Sequence, residues 1–198
     1  MNGDLTNDPR EISEVLDAAL DATFPASDPP SMTVPVTAGP SAGLAPASAQ
    51  VQVFRVVHRE KADAAFASVE NRHAGRWTSE GTAAVYASMS AAGALLEFLA
   101  HLEGDSPADL VLIAAALPTQ TVVVANQLPS KWRERPYRDD VRAFGDRWAT
   151  SRRSLALQLP SVLCEGADNV LINPDHPDAF QLNIRAVDPL VVDPRLRY

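Results

Sequence analysis

What most constrains this 198-residue chain is a proline-rich stretch that divides it unequally. Six of the 16 prolines (Pro25, Pro29, Pro30, Pro35, Pro40, Pro46) fall between residues 25 and 50, a stretch without an aromatic side chain. Proline fixes φ and removes a backbone donor, so such a stretch makes a linker or an extended arm rather than a core. Two parts are therefore expected: residues 1–50, an acidic helix and Pro-rich arm, and residues 51–198, one compact domain. The helix is placed at about residues 9–23, with Asp8 as cap, Pro9 at the first position and Ile12, Val15, Leu16, Ala19 and Leu20 at helical spacing.

Charge divides the same way. Residues 1–50 carry seven acidic side chains and one basic one, while the remainder holds 18 acidic and 16 basic groups. The net charge of −8 excludes the basic footprint of a nucleic-acid binder. Within the remainder, residues 131–153 hold eight basic groups against four acidic ones, a local basic face that suggests an anionic ligand or an acidic partner, though most of these residues read as a solvated helix laced with charge pairs. No run approaches the ~20 apolar residues of a membrane span, and no leader-like N-terminus is present. A cytoplasmic protein that contacts neither membrane nor nucleic acid is expected.

The domain from Val51 reads as short strands with few helices. Val51–Val57 and Ala84–Ala87 are predicted strands, with a short helix near Ala62–Ser68 between them. Ser90 caps a predicted helix that runs to Glu103. Leu110–Ala116 and Thr121–Ala125 are predicted to form a hairpin across Pro118. Arg138–Thr150 has Val141, Phe144 and Trp148 at helical spacing. Leu155–Cys164, Val170–Ile172, Gln181–Ala186 and Leu190–Val192 are read as strands of a further sheet. Strands and helices do not alternate regularly, so the class is α+β rather than doubly wound.

Several motifs fail. Gly39-Pro40-Ser41-Ala42-Gly43 has the letters of a nucleophile elbow, but no strand precedes it. His58-Arg59-Glu60 lacks the cysteine pair of a zinc deaminase. The four histidines lack metal-ligand spacing, so no metal is expected. Cys164, the single cysteine, is read as a core residue on an apolar strand.

Other stretches place a polar group where a plain core would not want one. Arg55 sits inside Val53-Phe54-Arg55-Val56-Val57, and Glu97 inside Leu95-Leu96-Glu97-Phe98-Leu99. Arg76 and Trp77 share a loop with Gly75, and Tyr86 lies in Val85-Tyr86-Ala87-Ser88. A charge among apolar neighbours is costly unless paired or functional. Taken singly, each also reads as an ordinary ion pair, core aromatic or loop charge.

Together with Gly145-Asp146-Arg147-Trp148, Leu159-Pro160-Ser161-Val162, Leu171-Ile172-Asn173-Pro174 and Asp193-Pro194-Arg195-Leu196, these stretches resemble the RES domain family. The resemblance runs in order from about Val51 to the C-terminus. It implies an ADP-ribosyltransferase-like α+β domain with a bent central sheet. It implies the toxin of a type II toxin–antitoxin module, using NAD as substrate and held by a cognate Xre-type antitoxin covering the cleft. By the same resemblance, the catalytic residues fall on Glu97, Arg55, Tyr86 and Ser161, and NAD contacts on Arg55, Arg76, Tyr86 and Ser161. One departure is Asn71-Arg72-His73-Ala74, where a smaller glycine-containing turn is expected. Cleavage of the nicotinamide–ribose bond would deplete NAD and arrest growth. The alternatives are mono-ADP-ribosylation of a cellular protein, such as an enzyme of nucleotide metabolism, and an inactive RES-like binding module.

Overall fold

The computed structural model describes residues 49–102 and 108–196. The helix expected at 9–23 and the Pro-rich arm lie outside them. Seven strands are formed among the described residues: β1 (Gln50–His58), β2 (Val85–Ser88), β3 (Leu110–Pro118), β4 (Val122–Val124), β5 (Ala156–Pro160), β6 (Asp168–Ile172) and β7 (Asn183–Leu190). Among the described residues two α-helices accompany them, α1 (Ala91–Ala100) and α2 (Asp139–Ser151). The class is α+β, as the sequence indicates.

All seven strands belong to one sheet, in the order β4-β5-β6-β2-β1-β3-β7. This corrects two expectations. β3 and β4 do not form a hairpin: β3 pairs with β1 and β7, while β4 crosses to the far edge and lies parallel to β5. Nor do the C-terminal strands make a further sheet, since β6 pairs with β2 and β7 with β3. Leu190 ends β7, and Val191 and Val192 follow it outside the strand.

Both helices pack on one face of the sheet. Pairing of Phe54 with Ser88 and of Tyr86 with Leu171 puts these side chains on a common face. On the β1–β3 half, Leu95, Phe98 and Leu99 of α1 pack against Phe54, Val56 and Leu112. On the β5–β6 half, Val141, Phe144 and Trp148 of α2 pack against Leu157, Leu159 and Leu171. The opposite face buries Val53, Val85, Ala115, Val170 and Ile172 under Phe66, Ala179 and Leu182.

The 62–68 segment forms turns instead of a helix. Its carbonyls explain why. Those of Ala65 and Ala67 accept hydrogen bonds from the side chains of Arg55 and Asn71 rather than from backbone amides one turn on. Cys164 is a further correction. Pro160 ends β5, and Cys164 is exposed in the turn before β6 rather than buried in a strand.

Candidate active site

The sheet is weakest at its centre. β1 pairs with β3 over nine residues, but with β2 only at Phe54 and Ser88. Beside this bridge opens a cleft of about 350 Å³, the size of a small-molecule site. Arg55 and Val56 line it from β1, and Tyr86 and Ala87 from β2. α1 contributes Glu97, and the loop after residue 73 contributes Arg76.

At the floor, hydrogen bonds fix a carboxylate. Glu97 projects from the second turn of α1, whose start is capped by Ser90 accepting the Gly93 amide at 3.0 Å. Glu97 Oε1 accepts from Ser161 Oγ at 3.0 Å and from Asn169 Nδ2 at 2.6 Å. Ser161 is itself held in the turn after β5, its Oγ accepting from the Leu163 amide at 3.1 Å. Both bonds fall on one carboxylate oxygen. Among the described residues, Oε2 has no partner. Asn169 Oδ1 is buried, and among the described residues it too has none. Turning the amide over would set its oxygen against the carboxylate, so the contact to Glu97 fixes this orientation.

Tyr86 forms one wall, and a glycine lets it stand there. A Cβ on Gly75 would lie 2.5 Å from the Tyr86 hydroxyl, so only glycine fits. That hydroxyl accepts from the Trp77 amide at 3.0 Å and pairs with Thr78 Oγ1 at 3.0 Å. Burial raises the phenol's pKa, and these bonds partly offset it. Gly145 fixes the loop from the other side: a Cβ there would come within 1.9 Å of the Trp77 carbonyl, so α2 can lie against the loop only with glycine. Asn71-Arg72, where a smaller turn is expected, is braced by side chains. Asn71 is buried with its amide on Ala65 and Ala67, and Arg72 bonds Gly81, Ser68 and Asp175.

The arginines differ from one another. Arg55 is half-buried, and Nη1 donates to the Ala65 carbonyl. Burial lowers its pKa to about 10. Among the described residues it has no carboxylate within ion-pair distance, so the Arg55–Glu97 ion pair open to the sequence does not form. Arg76 is 8% exposed. Its Nη1 donates to the Trp132 carbonyl at 2.6 Å and the Glu134 carbonyl at 3.2 Å, and its guanidinium lies 4.7 Å from the centre of the Tyr137 ring. Burial pulls its pKa below the ordinary value. In this arrangement Arg76 holds the 132–137 segment over the cleft.

Residues 52–193 match the RES domain family. The chain belongs to that family. It is 38% identical over 128 residues to the "Prs ADP-ribosylating toxin" of Sphingobium sp. (strain YBL2), covering 62% of this chain and 80% of that one. It is 32% identical over 130 residues to the "Toxin Res" of Yersinia enterocolitica, covering 63% of this chain and 85% of that one. Among solved structures it is similar to a chain of the M. tuberculosis MbcT-MbcA toxin-antitoxin complex. That match has a TM-score of 0.49 at 13% identity and covers 73% of this chain and 86% of that one.

In this RES domain, Arg55, Arg76, Tyr86 and Glu97 line one cleft, and Ser161 joins them through its bond to Glu97. Sequence reasoning missed Asn169, Tyr137 and His101. His101 lies one turn after Glu97. Its Nδ1 donates to the Glu97 carbonyl at 2.8 Å, and its other ring nitrogen meets the Tyr137 hydroxyl at 3.2 Å. The i, i+4 spacing of Glu97 and His101 was a readable signal. Asn169, after Asp168, reads as a strand start and gives none. Among the described residues, no group of three or more His, Cys, Asp or Glu side chains could hold a metal ion, and no helix is long and apolar enough to cross a membrane.

Proposed function

We propose that this RES domain cleaves the nicotinamide–ribose bond of NAD and depletes it as the toxin of a type II toxin–antitoxin module. The observation that carries this is the floor: a carboxylate with one oxygen tied to Ser161 and Asn169 and the other unengaged, in a cleft that also presents arginines and an aromatic wall. The site fits the substrate by chemistry. Arginine suits phosphate oxygens, and an aromatic face suits the cationic nicotinamide. The buried Asn169 Oδ1 leaves an acceptor for a donor that arrives with the substrate or with closure around it.

When the bond breaks, its electron pair stays on the nicotinamide nitrogen, which becomes neutral. No general acid is needed for departure. Positive charge builds on the ribose, as in glycoside cleavage. Glu97 Oε2 stabilises that charge and orients the acceptor, while Ser161 and Asn169 stop the carboxylate from rotating away. With water as acceptor, its oxygen bonds to the anomeric carbon and its proton leaves to solvent. Phosphate can take the same place. NAD loss would arrest growth, and a cognate Xre-type antitoxin over the cleft would prevent it. Because NAD is an intracellular substrate, the reading includes a cytoplasmic location. Residues 51–198 would be the toxin domain and 1–50 an appendage, so a chain lacking residues 1–48 should retain a cooperative thermal transition.

A second reading is favoured by the name of the Sphingobium relative: transfer of ADP-ribose to a protein side chain. Both readings share nicotinamide release and differ in the acceptor. The test is purified, antitoxin-free protein with NAD labelled in the ADP-ribose part, alone and in a cell lysate. Soluble label means hydrolysis or phosphorolysis, and label on a protein band means transfer. Folded protein that releases no nicotinamide and labels nothing would end both readings and leave the inactive binding module.

A further inference from the structure

Besides Arg76, two cleft arginines lack a carboxylate partner among the described residues: Arg55, half-buried with Nη1 on the Ala65 carbonyl, and Arg135, which is exposed. Arg135 lies in the segment that Arg76 holds over the cleft, lines the cleft, and is exposed at its mouth. The carboxylates of this segment are all engaged elsewhere. Glu134 pairs with Lys131 at 3.5 Å and Arg138 at 3.7 Å, Asp139 with Arg142 at 3.6 Å, and Asp140 with Arg138 at 2.9 Å. Arg133 stacks on Trp132, with its guanidinium 4.6 Å from that ring. Arg135 has no carboxylate partner among the described residues. Its Nη2 donates to the Tyr137 hydroxyl at 3.3 Å, and its guanidinium lies 5.4 Å from the Tyr137 ring centre.

Three guanidiniums, those of Arg76, Arg135 and Arg142, thus share one phenol ring; Arg142 pairs with Asp139, and among the described residues neither of the other two has a carboxylate partner. Like charges held this close repel, and a bound anion relieves the repulsion. Arg76 cannot meet that anion freely, because its Nη1 is spent on two backbone carbonyls. Among the described residues the Arg135 side chain is anchored only through Tyr137, which His101 ties to α1 one turn beyond Glu97.

We propose that Arg135, set by Tyr137 at the cleft mouth, is a phosphate-binding arginine of this chain, and that Arg76 is the strut that holds it there. The ligand class is a pyrophosphate-bearing nucleotide, and its identity as NAD rests on the function proposed above. The role assigned to Arg76 by the sequence resemblance passes in part to a residue that lies outside the resembling stretches.

The experiment is calorimetric binding of two probes, ADP-ribose and nicotinamide, to the full chain and to Arg135→Ala. ADP-ribose carries the pyrophosphate and nicotinamide does not, and neither requires turnover. Loss of one charge-assisted bidentate contact should weaken ADP-ribose about tenfold and leave nicotinamide unchanged. Arg135→Lys should recover only part of the loss, since it restores charge without the fork. Equal ADP-ribose affinity in wild type and Arg135→Ala would overturn this assignment and leave the NAD reading standing. Equal weakening of both probes would also overturn it, making Arg135 a support for cleft shape. Failure of the wild-type protein to bind ADP-ribose would overturn both.

Discussion

The floor and the rim of the cleft are built on different principles. At the floor, Glu97, Ser161 and Asn169 come from α1, the turn after β5 and the start of β6, and short hydrogen bonds hold one carboxylate oxygen in place. At the rim, Arg76, Arg135 and Tyr137 meet through stacked cations and backbone carbonyls, on two segments without regular secondary structure. The floor is pre-set, as charge stabilisation in a transition state requires. The rim places charge where a flexible, anionic part of a ligand can be gathered. Floor variants should therefore change kcat, and rim variants should change KM and stability.

Glu97→Gln should have the largest effect. It keeps shape and hydrogen bonding but removes the charge, which costs on the order of 3 kcal/mol of transition-state stabilisation, about a hundredfold in kcat. KM for NAD should change little. Steady-state kinetics of nicotinamide release would show the split, and a rise in KM at unchanged kcat would assign Glu97 to binding.

Arg76→Ala should break the rim. Two carbonyls lose a charged donor, and the 132–137 segment loses its anchor. We expect about 2 kcal/mol of lost stability in denaturant unfolding, and a raised KM. Arg76→Lys should not rescue it, because lysine lacks the planar fork stacked on Tyr137.

Asn169→Ala should separate function from stability. It removes a bond to Glu97 but also removes a buried acceptor without a partner, whose desolvation costs about 1–3 kcal/mol. Thermal stability should stay level or rise while kcat falls about tenfold. Asn169→Asp would replace the amide donor by a second carboxyl against Glu97 Oε1, and kcat should fall further than in Asn169→Ala. Unchanged kcat in both variants would mean that position 169 does not act through Glu97.

These contrasts follow what the sequence made legible. Arg55 and Glu97 stood out because each interrupts an apolar run, and burial makes such a charge expensive. Tyr137 and Arg135 lay in a basic stretch that reads as solvated, and only the pairing pattern separates Arg135 from its neighbours. Strand pairing was less legible still. The parallel contact of Val122–Val124 with Ala156–Gln158 is three residues long and joins segments far apart in the chain, so no local turn signal announces it. The apolar text Leu155–Cys164 hid its own end, because Pro160 stops the strand while Val162 and Leu163 continue the composition. Alanine-rich 62–68 has helix propensity, but Arg55 and Asn71 claim its carbonyls.

The smallest expected effect is at the wall between floor and rim. The folded state holds the Tyr86 phenol above its ordinary pKa, chiefly by burial. The folded protein therefore binds the phenolic proton more tightly than the unfolded chain does. That contribution is complete below the ordinary phenol value and is lost as pH rises through the raised one. Tyr86→Phe should flatten this alkaline decline in Tm, and an unchanged decline would place its origin elsewhere.

The most direct test of the account is single-turnover release of nicotinamide from NAD by folded, antitoxin-free protein, compared with Glu97→Gln at saturating NAD. The account predicts rapid release by the wild type and a rate about a hundredfold lower in the variant, with both proteins binding ADP-ribose equally well. Equal release rates for the two proteins, or none from a wild type that binds ADP-ribose, would contradict it.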